Sequence, residues 1–331
     1  MNSDARALTE VAVVIATCGR PALLRRCLTA LVEQRGLDVC AYEIVIVDDG
    51  RSNDTMEVVN EFARRTAGAP AVRYLRPTGT RGPAAARNRG WRASSAPVIA
   101  FTDDDTVPDP LWLANGCRAL AQGFAAASGR VVVPTCAAPT DHAKNTQGLE
   151  TAEFVTANAF VRRDALLRVG GFDERFTRAW REDSDLHFSL IEHYGGVGHA
   201  PDAVVVHPVR QAPWGVSLSQ QANVYFDALL FKKHRRLYLA KVRHRPPWRY
   251  VVVVVASLAA IVAAAAGQAR LAMYLFSLSL VVCLAFAWQR LQGTSHAPAH
   301  VAEMLLTSLA IPYVAVFWRL RGAWRFKVLF P

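Results

Sequence analysis

Val98-Ile99-Ala100-Phe101-Thr102-Asp103-Asp104-Asp105 sets a short, mostly apolar run directly against three consecutive carboxylates. An apolar run of that length, bounded by acids, reads as a strand buried on both faces, the kind found inside parallel sheets. The acids then fall at its carboxyl end, where open α/β sheets bind their ligands. The same grammar recurs upstream. Tyr42 to Val47 is a strand ending in Asp48-Asp49-Gly50, and Val11 to Ile15 is a strand followed by helical spacing from Pro21 to Gln34. Asp54 to Arg65 predicts a helix, Val72 to Leu75 a strand, and Pro83 to Ser94 a helix with proline in its first turn. This alternation predicts an α/β fold, a Rossmann-like, mostly parallel sheet wound with right-handed crossovers. Downstream the pattern loosens to a strand at Arg130–Pro134, a helix start at Arg163–Val169, a helix over Glu182–Tyr194 and a last strand at Val204–His207.

The charge is unevenly placed. The chain has 331 residues and a net charge of +11, yet residues 232–331 hold 14 of the 38 Lys and Arg against a single acid, Glu303. The basic character therefore belongs to the last hundred residues, which are otherwise almost continuously apolar. That combination points to a membrane surface and not to nucleic acid. Val251–Gly267 and Leu271–Trp288 are each near the length that crosses a hydrocarbon core, and only a few residues separate them, so they read as a transmembrane hairpin. Lys232–Arg249 precedes the hairpin and is strongly basic, which places it in the cytoplasm by the positive-inside bias. Residues 301–327 contain Glu303 and Pro312 and end in a basic stretch; they are expected as an interfacial helix or a third membrane helix, with Trp318 and Trp324 at headgroup level. The expected organisation is a catalytic domain over residues 1–231, a basic juxtamembrane segment over 232–250, the hairpin over 251–288 and the final helix over 301–327. Six cysteines occur singly, with no zinc-binding spacing, and read as reduced thiols. Met1 to Glu10 is polar and carries no basic-then-apolar leader, so secretion is not expected.

Several clusters carry chemistry. Clustered carboxylates such as Asp103 and Asp105 repel one another, and a hard divalent cation with oxygen ligands relieves them. Taken alone, the triplet reads rather as a solvated acidic loop that caps the next helix at Asp109–Leu111. Asp48-Asp49-Gly50 closes a second parallel strand and should lie on the same edge of the sheet; a turn that caps the helix near Asp54 is its plain alternative. Gly82 to Asn88 puts small residues at a helix N-terminus, where free N–H groups favour anions, with Arg87 one turn on.

Together these features resemble the family 2 glycosyltransferases of the GT-A fold. Val13 to Arg20 looks like their opening strand and loop, Glu43 to Gly50 like their second strand, and Gly82 to Gly90 like their glycine and Ala-Arg-Asn segment. Phe101 to Asp105 is similar to their metal motif. Gly170-Gly171-Phe172-Asp173-Glu174, followed by Arg181 to Leu186, is similar to their acceptor-side signature. The matches fall in the family's order over about residues 11–210.

The resemblance implies a GT-A nucleotide-sugar-binding fold followed by a helical membrane region. It implies that Ala16, Thr17, Arg20 and Asp49 hold the nucleotide, that Arg87 and Asn88 line the diphosphate, and that Asp104 belongs to the same nucleotide-sugar site. Asp103 and Asp105 would bind Mg2+ or Mn2+, joined by His207, which resembles a late histidine of related enzymes. Asp183, with Glu182 beside it, is implied as the base of an inverting transfer, and Trp180 and Asp173 as acceptor-side residues. The implied partners are a nucleotide-diphosphate sugar, a lipid-linked or glycan acceptor used in cell-envelope assembly, and membrane lipids. A homo-oligomer is left open. The expected location is the inner (cytoplasmic) membrane, multi-pass, with the catalytic domain in the cytoplasm. This sequence departs from the family at Ala16 and Cys18-Gly19, where proline and then tyrosine–asparagine are usual, which leaves the nucleotide open.

Two rivals remain. A dinucleotide-dependent dehydrogenase needs Gly-x-Gly-x-x-Gly after the first strand, and Ala16 to Arg20 does not supply it. A non-catalytic, membrane-associated nucleotide-sugar or lipid-binding protein would explain the hairpin, but not the acids at several strand ends.

Overall fold

The structure, a computed structural model, describes residues 9–39 and 41–331; the polar start of the chain and Cys40 lie outside them. The chain divides into two compact units, Met1–Pro134 with Gly148–Pro208, and Thr135–Gln147 with Val209–Pro331.

The first unit begins with the expected alternation: β1 (Val11–Thr17), α1 (Pro21–Val32), β2 (Tyr42–Asp48), α2 (Asp54–Thr66), β3 (Ala71–Leu75), α3 (Pro83–Arg92) and β4 (Val98–Asp103). It continues with β5 (Val107–Pro108), α4 (Trp112–Leu120) and β6 (Ala126–Val132). The chain leaves for α5 (Asp141–Thr146) in the second unit, then returns as β7 (Asn158–Arg162), α6 (Arg163–Val169), α7 (Glu182–Tyr194) and β8 (Gly198–Val206). One eight-stranded sheet results, ordered β3-β2-β1-β4-β7-β6-β8-β5. The first four strands in that order are mutually parallel, whereas β7 runs antiparallel to both β4 and β6. The strand expected at Arg130–Pro134 starts earlier, because residues 126–128 pair with β7.

The apolar strands are buried as their composition demands. Val11 to Ile15 and Ile44 to Val47 are 0–1% exposed, and burying one such Val or Ile stabilises by about 1.5–3 kcal/mol. Register puts Ala16 level with Val47 on one side and Asp103 on the other, so the acids after β2 and β4 emerge at one height. Gly90 lets α3 lie directly on this part of the sheet, since a Cβ there would stand 2.4 Å from Cγ1 of Val14. Gly82 opens α3 with φ +107°, and a Cβ there would meet the Thr177 carbonyl at 2.7 Å. The loop before α3 is therefore drawn against the segment that leads into α7.

The second unit is helical: α5, then α8 (Val216–Gln220), α9 (Val224–Lys233), α10 (Arg235–Lys241), α11 (Trp248–Ala265), α12 (Ala269–Leu291) and α13 (Pro298–Phe326). The last three are each long and apolar enough to cross a membrane. α11 and α12 are consecutive and pack against each other, joined midway by Ser257 and Ser279 at 2.8 Å. Their exposed residues are mostly apolar, including Val255, Leu258, Ile261, Val262, Phe276 and Val281.

α13 is a single helix of 29 residues with Pro312 inside it. It runs alongside the segment before the hairpin: the Gly215 N–H donates to Glu303 near its start, Gly322 packs on the Tyr225 backbone, and Lys232 donates to the Phe326 carbonyl at its end. Its exposed large residues Leu306, Leu309, Tyr313, Phe317, Leu320 and Trp324 recur every three or four positions, so one apolar stripe faces outward along the whole helix.

Candidate active site

The three acids at the end of β4 do not share one fate: Asp103 closes the strand, and Asp104 and Asp105 follow in the turn. Asp103 and Asp105 turn one way and meet His207, which follows β8; one ligand atom from each lies within 4.8 Å of the others. Nε2 of His207 stands 3.5 Å from Oδ1 of Asp105. Asp104 turns the other way and is fully buried, accepting from the Thr17 hydroxyl at 2.6 Å and facing the Arg20 guanidinium at 3.0 Å. Burial raises its carboxyl to about 6, with Arg20 and Thr17 working against the rise. The middle acid thus ties the loop after β1 to the loop after β4.

Arg87, on α3, is the centre of the arrangement. It is 4% exposed, and its two terminal nitrogens reach Asp103 at 2.8 Å and Glu182 at 2.9 Å. Burial by itself would push Asp103 up, but the neighbouring Arg87 and His207 prevail and hold its carboxyl below the ordinary aspartate range. Glu182 goes the other way. Burial pushes it up and Asp183 adds to the rise, while Arg87 restrains it. Asp183, half-buried at the start of α7, is likewise pushed up by burial, against a 2.6 Å hydrogen bond donated by the Ser184 N–H. Arg181, just before this pair, sits in the left-handed region at φ +73°. A non-glycine residue held there stores strain of the kind that collects at functional sites. Its guanidinium lies 4.7 Å from the ring centre of Trp180, which is itself 38% exposed.

Asp49 accepts the Gly82 N–H at 2.9 Å, which links the acid after β2 to the glycine at the head of α3. Arg87, Asp103, Asp105, Glu182 and His207 therefore form one connected cluster, with Asp183 next to Glu182 in the chain and Asp49 tied to the head of the helix that carries Arg87. Three expected residues have different surroundings. Asn88 is buried, and its amide bonds the Phe172 backbone on both sides, Glu174 and the Trp91 indole. Those bonds brace the 170–174 turn and leave the amide occupied. Asp173 is held by Arg175 two residues on, at 2.6 Å. Ala16, at its register position beside Asp103, offers backbone only.

Some contributors have little signature in the sequence. Asp48 is 1% exposed; it accepts the Tyr74 hydroxyl at 3.0 Å and the Gly50 N–H at 2.8 Å, shaping the turn that presents Asp49. Cys27 and Thr106 lie beneath the acid triplet, the thiol against the Asp103 carbonyl at 3.5 Å, and burial pushes that thiol well above its usual range. Asp48 adjoins a residue already singled out. Nothing in the linear pattern marks Cys27, Thr106 or the strained Arg181.

The donor set suits a divalent cation. Two carboxylates and an imidazole converge, and the buried Nδ1 of His207 has no hydrogen-bond partner among the described residues. Such mixed oxygen and nitrogen ligands fit Mn2+ well and Mg2+ acceptably.

Two family models match the chain: Glycosyl transferase family 2 over residues 12–173 and Glycosyl transferase family group 2 over residues 98–319. Among curated proteins, the glycosyltransferase AglE of Haloferax volcanii is 28% identical over 229 residues, covering 66% of this chain and 72% of that protein. The pre-mycofactocin glycosyltransferase of Mycobacterium tuberculosis is 30% identical over 222 residues, covering 61% of this chain but only 43% of that protein. Among solved structures, the mannosyltransferase PcManGT from Pyrobaculum calidifontis, in complex with GDP-Man and Mn2+, superposes with a TM-score of 0.54. The superposition covers 96% of this chain and 85% of that one at 20% identity, and so speaks for the fold.

Proposed function

The chain belongs to the family 2 glycosyltransferases, and from that premise we propose a metal-dependent, inverting enzyme that moves a sugar from a nucleotide diphosphate to an acceptor hydroxyl. The observation that carries this reading is the bridge made by Arg87, which connects the Asp103, Asp105 and His207 cluster to the Glu182-Asp183 pair. One buried guanidinium thereby connects the cation site to Glu182, the acid that directly precedes the candidate base Asp183. Asp103, Asp105 and His207 would hold Mn2+ or Mg2+, which supplies neutralising charge to the departing diphosphate.

The remaining roles fall to the chain's own residues. Asp183, half-buried with one carboxylate oxygen bound by the Ser184 N–H, takes the proton from the acceptor hydroxyl. Attack from that side and departure of the diphosphate on the other invert the anomeric centre. Glu182 is a positioning residue that fixes Arg87, and Arg87 keeps Asp103 ionised. The loop at Thr17 to Arg20, tied down by Asp104, and the turn at Asp49 frame the nucleotide. Trp180, backed by Arg181, offers an exposed ring face to a sugar.

The acceptor in this reading is a lipid-linked or envelope glycan at the membrane. α11 and α12 span as a hairpin, and the basic stretch over 232–250 keeps the catalytic unit in the cytoplasm. α13, which packs on residues 215–232 and also on α11 and α12, is read as an interfacial helix with its apolar stripe toward the lipid. The interfacial reading of 301–327 also avoids placing the basic tail on the far side. The decisive experiment is calorimetric titration of GDP and UDP with and without Mn2+. The expected result is binding that strengthens with metal and loses that dependence in Asp105→Ala. Binding that ignores the metal and survives the substitution would overturn the proposal.

A further inference from the structure

The second unit holds a cleft of about 750 Å3 at one end of the α11–α12 hairpin, where α11 begins and α12 ends. Its walls carry Lys144, Arg243, Arg249 and Arg290, and among the described residues its only acidic wall is Asp141. That acid is already engaged: Arg290 holds it at 2.8 Å and also donates to the Thr307 and Ser308 hydroxyls on α13. Arg290 and Asp141 cancel, so three cations remain to face the cleft. Lys144 and Arg249 are held over it by hydrogen bonds to the Gln292 carbonyl and the Gln289 side chain. Both acceptors are neutral, so neither cation loses its charge. Trp248, 60% exposed, stands at the same level, where the aromatic ring of a membrane protein meets the headgroups.

A cleft of this size can bury a small polar group, and three cations beside an apolar hairpin select an anion that arrives attached to hydrocarbon. We propose that this cleft seats the phosphate of a membrane lipid, bound by Lys144, Arg243 and Arg249, with Arg290 and Asp141 as a rigid floor. Arg243 and Arg249 are exposed and can approach the anion from the water side, whereas Arg290 is fixed by hydrogen bonds to Asp141, Thr307 and Ser308. The lipid is either an anionic phospholipid or a polyprenyl phosphate; the chemistry at the phosphate is the same. This site rests on the hairpin being embedded in a bilayer and not on the sugar-transfer reading, so the two stand or fall separately.

The test uses full-length protein in nanodiscs of phosphatidylcholine alone, with phosphatidylglycerol, or with polyprenyl phosphate, and counts bound lipid by native mass spectrometry. The expected result is selective retention of a phosphate-bearing anionic lipid over phosphatidylcholine. The double variant Arg243→Gln/Arg249→Gln should weaken it about 30-fold, from the roughly fivefold effect of each cation near a membrane surface. Retention of both anionic lipids supports a general headgroup site, and retention of polyprenyl phosphate alone supports a seat for a lipid carrier. Equal retention in phosphatidylcholine, no loss in the double variant, or equal competition by soluble pyrophosphate would overturn the proposal. Nucleotide binding by the same variant, measured in parallel, confirms that the protein is folded and reports on the catalytic reading independently.

Discussion

Arg87→Gln is the substitution that most directly probes the rim. Arg87 is 4% exposed and stands between Asp103 at 2.8 Å and Glu182 at 2.9 Å. Glutamine keeps a hydrogen-bonding side chain, two atoms shorter, but removes the charge, leaving two buried carboxylates with no cation between them. Breaking a buried pair in this way costs about 3–5 kcal/mol. At roughly 2–4 °C per kcal/mol for a unit of this size, the melting temperature should fall by about 6–20 °C at pH 7.5.

The loss should depend on pH with a definite sign. In the wild type, Asp103 lies below its ordinary value of 3.8, so its contribution is present above that value and disappears as the pH falls through the depressed folded value. In the variant both carboxyls move up, Glu182 from a position that burial has already raised. The folded variant then holds protons that the unfolded chain releases, and its deficit opens as pH rises from about 4 toward neutrality. Differential scanning fluorimetry across pH 4.5–8, in chelator and without nucleotide, measures this directly. A deficit that is constant with pH, or that grows toward acid, would refute the assignment of Arg87 as the counter-ion of both carboxylates.

Other substitutions separate the remaining roles. Asp183→Asn should lower kcat by about 10²–10⁴-fold while nucleotide-diphosphate affinity stays within a factor of a few; an equal loss in affinity would make Asp183 a binding residue. Wild-type turnover should rise with pH through the elevated Asp183 carboxyl, because the base must be ionised, and a profile that falls over the same range would exclude it as the base. Asn88→Leu breaks the bonds to both sides of Phe172 and to Glu174, and should destabilise by about 1–3 kcal/mol. Nucleotide affinity measured on the folded fraction should change little, whereas a large loss would return Asn88 to the diphosphate. Gly90→Ala places a methyl 2.4 Å from Cγ1 of Val14; the resulting overpacking should cost about 1–3 kcal/mol in chemical denaturation, and an unchanged midpoint would mean that α3 is free to lift from the sheet.

Much of this protein is local in origin and therefore legible along the chain. The apolar runs at Val11, Tyr42 and Val98, each broken by a turn and a helix of 3.6-residue spacing, allow only a parallel αβ arrangement. Carboxylates placed after such strands must emerge at the sheet's carboxyl edge, so Asp49 and Asp103 could be assigned to one rim without coordinates. The length and apolar composition of α11 and α12, and the basic stretch before them, are equally legible along the chain.

What needed the tertiary structure is whatever depends on pairs distant in sequence. Arg87 and Glu182 are 95 positions apart, and nothing in either neighbourhood says that one guanidinium serves two carboxylates. The three acids at the end of β4 look equivalent in sequence, yet the bonds from Thr17 and Arg20 hold Asp104 away from the cluster that Asp103 and Asp105 form with His207. Asn88 reads as a ligand contact until Phe172 is seen to occupy its amide. The stripe on α13 faces outward because residues 215–232 and the α11–α12 pair together cover the rest of the helix. Local composition fixes which segments must be buried, but which polar groups satisfy one another is settled only when burial brings distant segments together and removes water as the alternative partner.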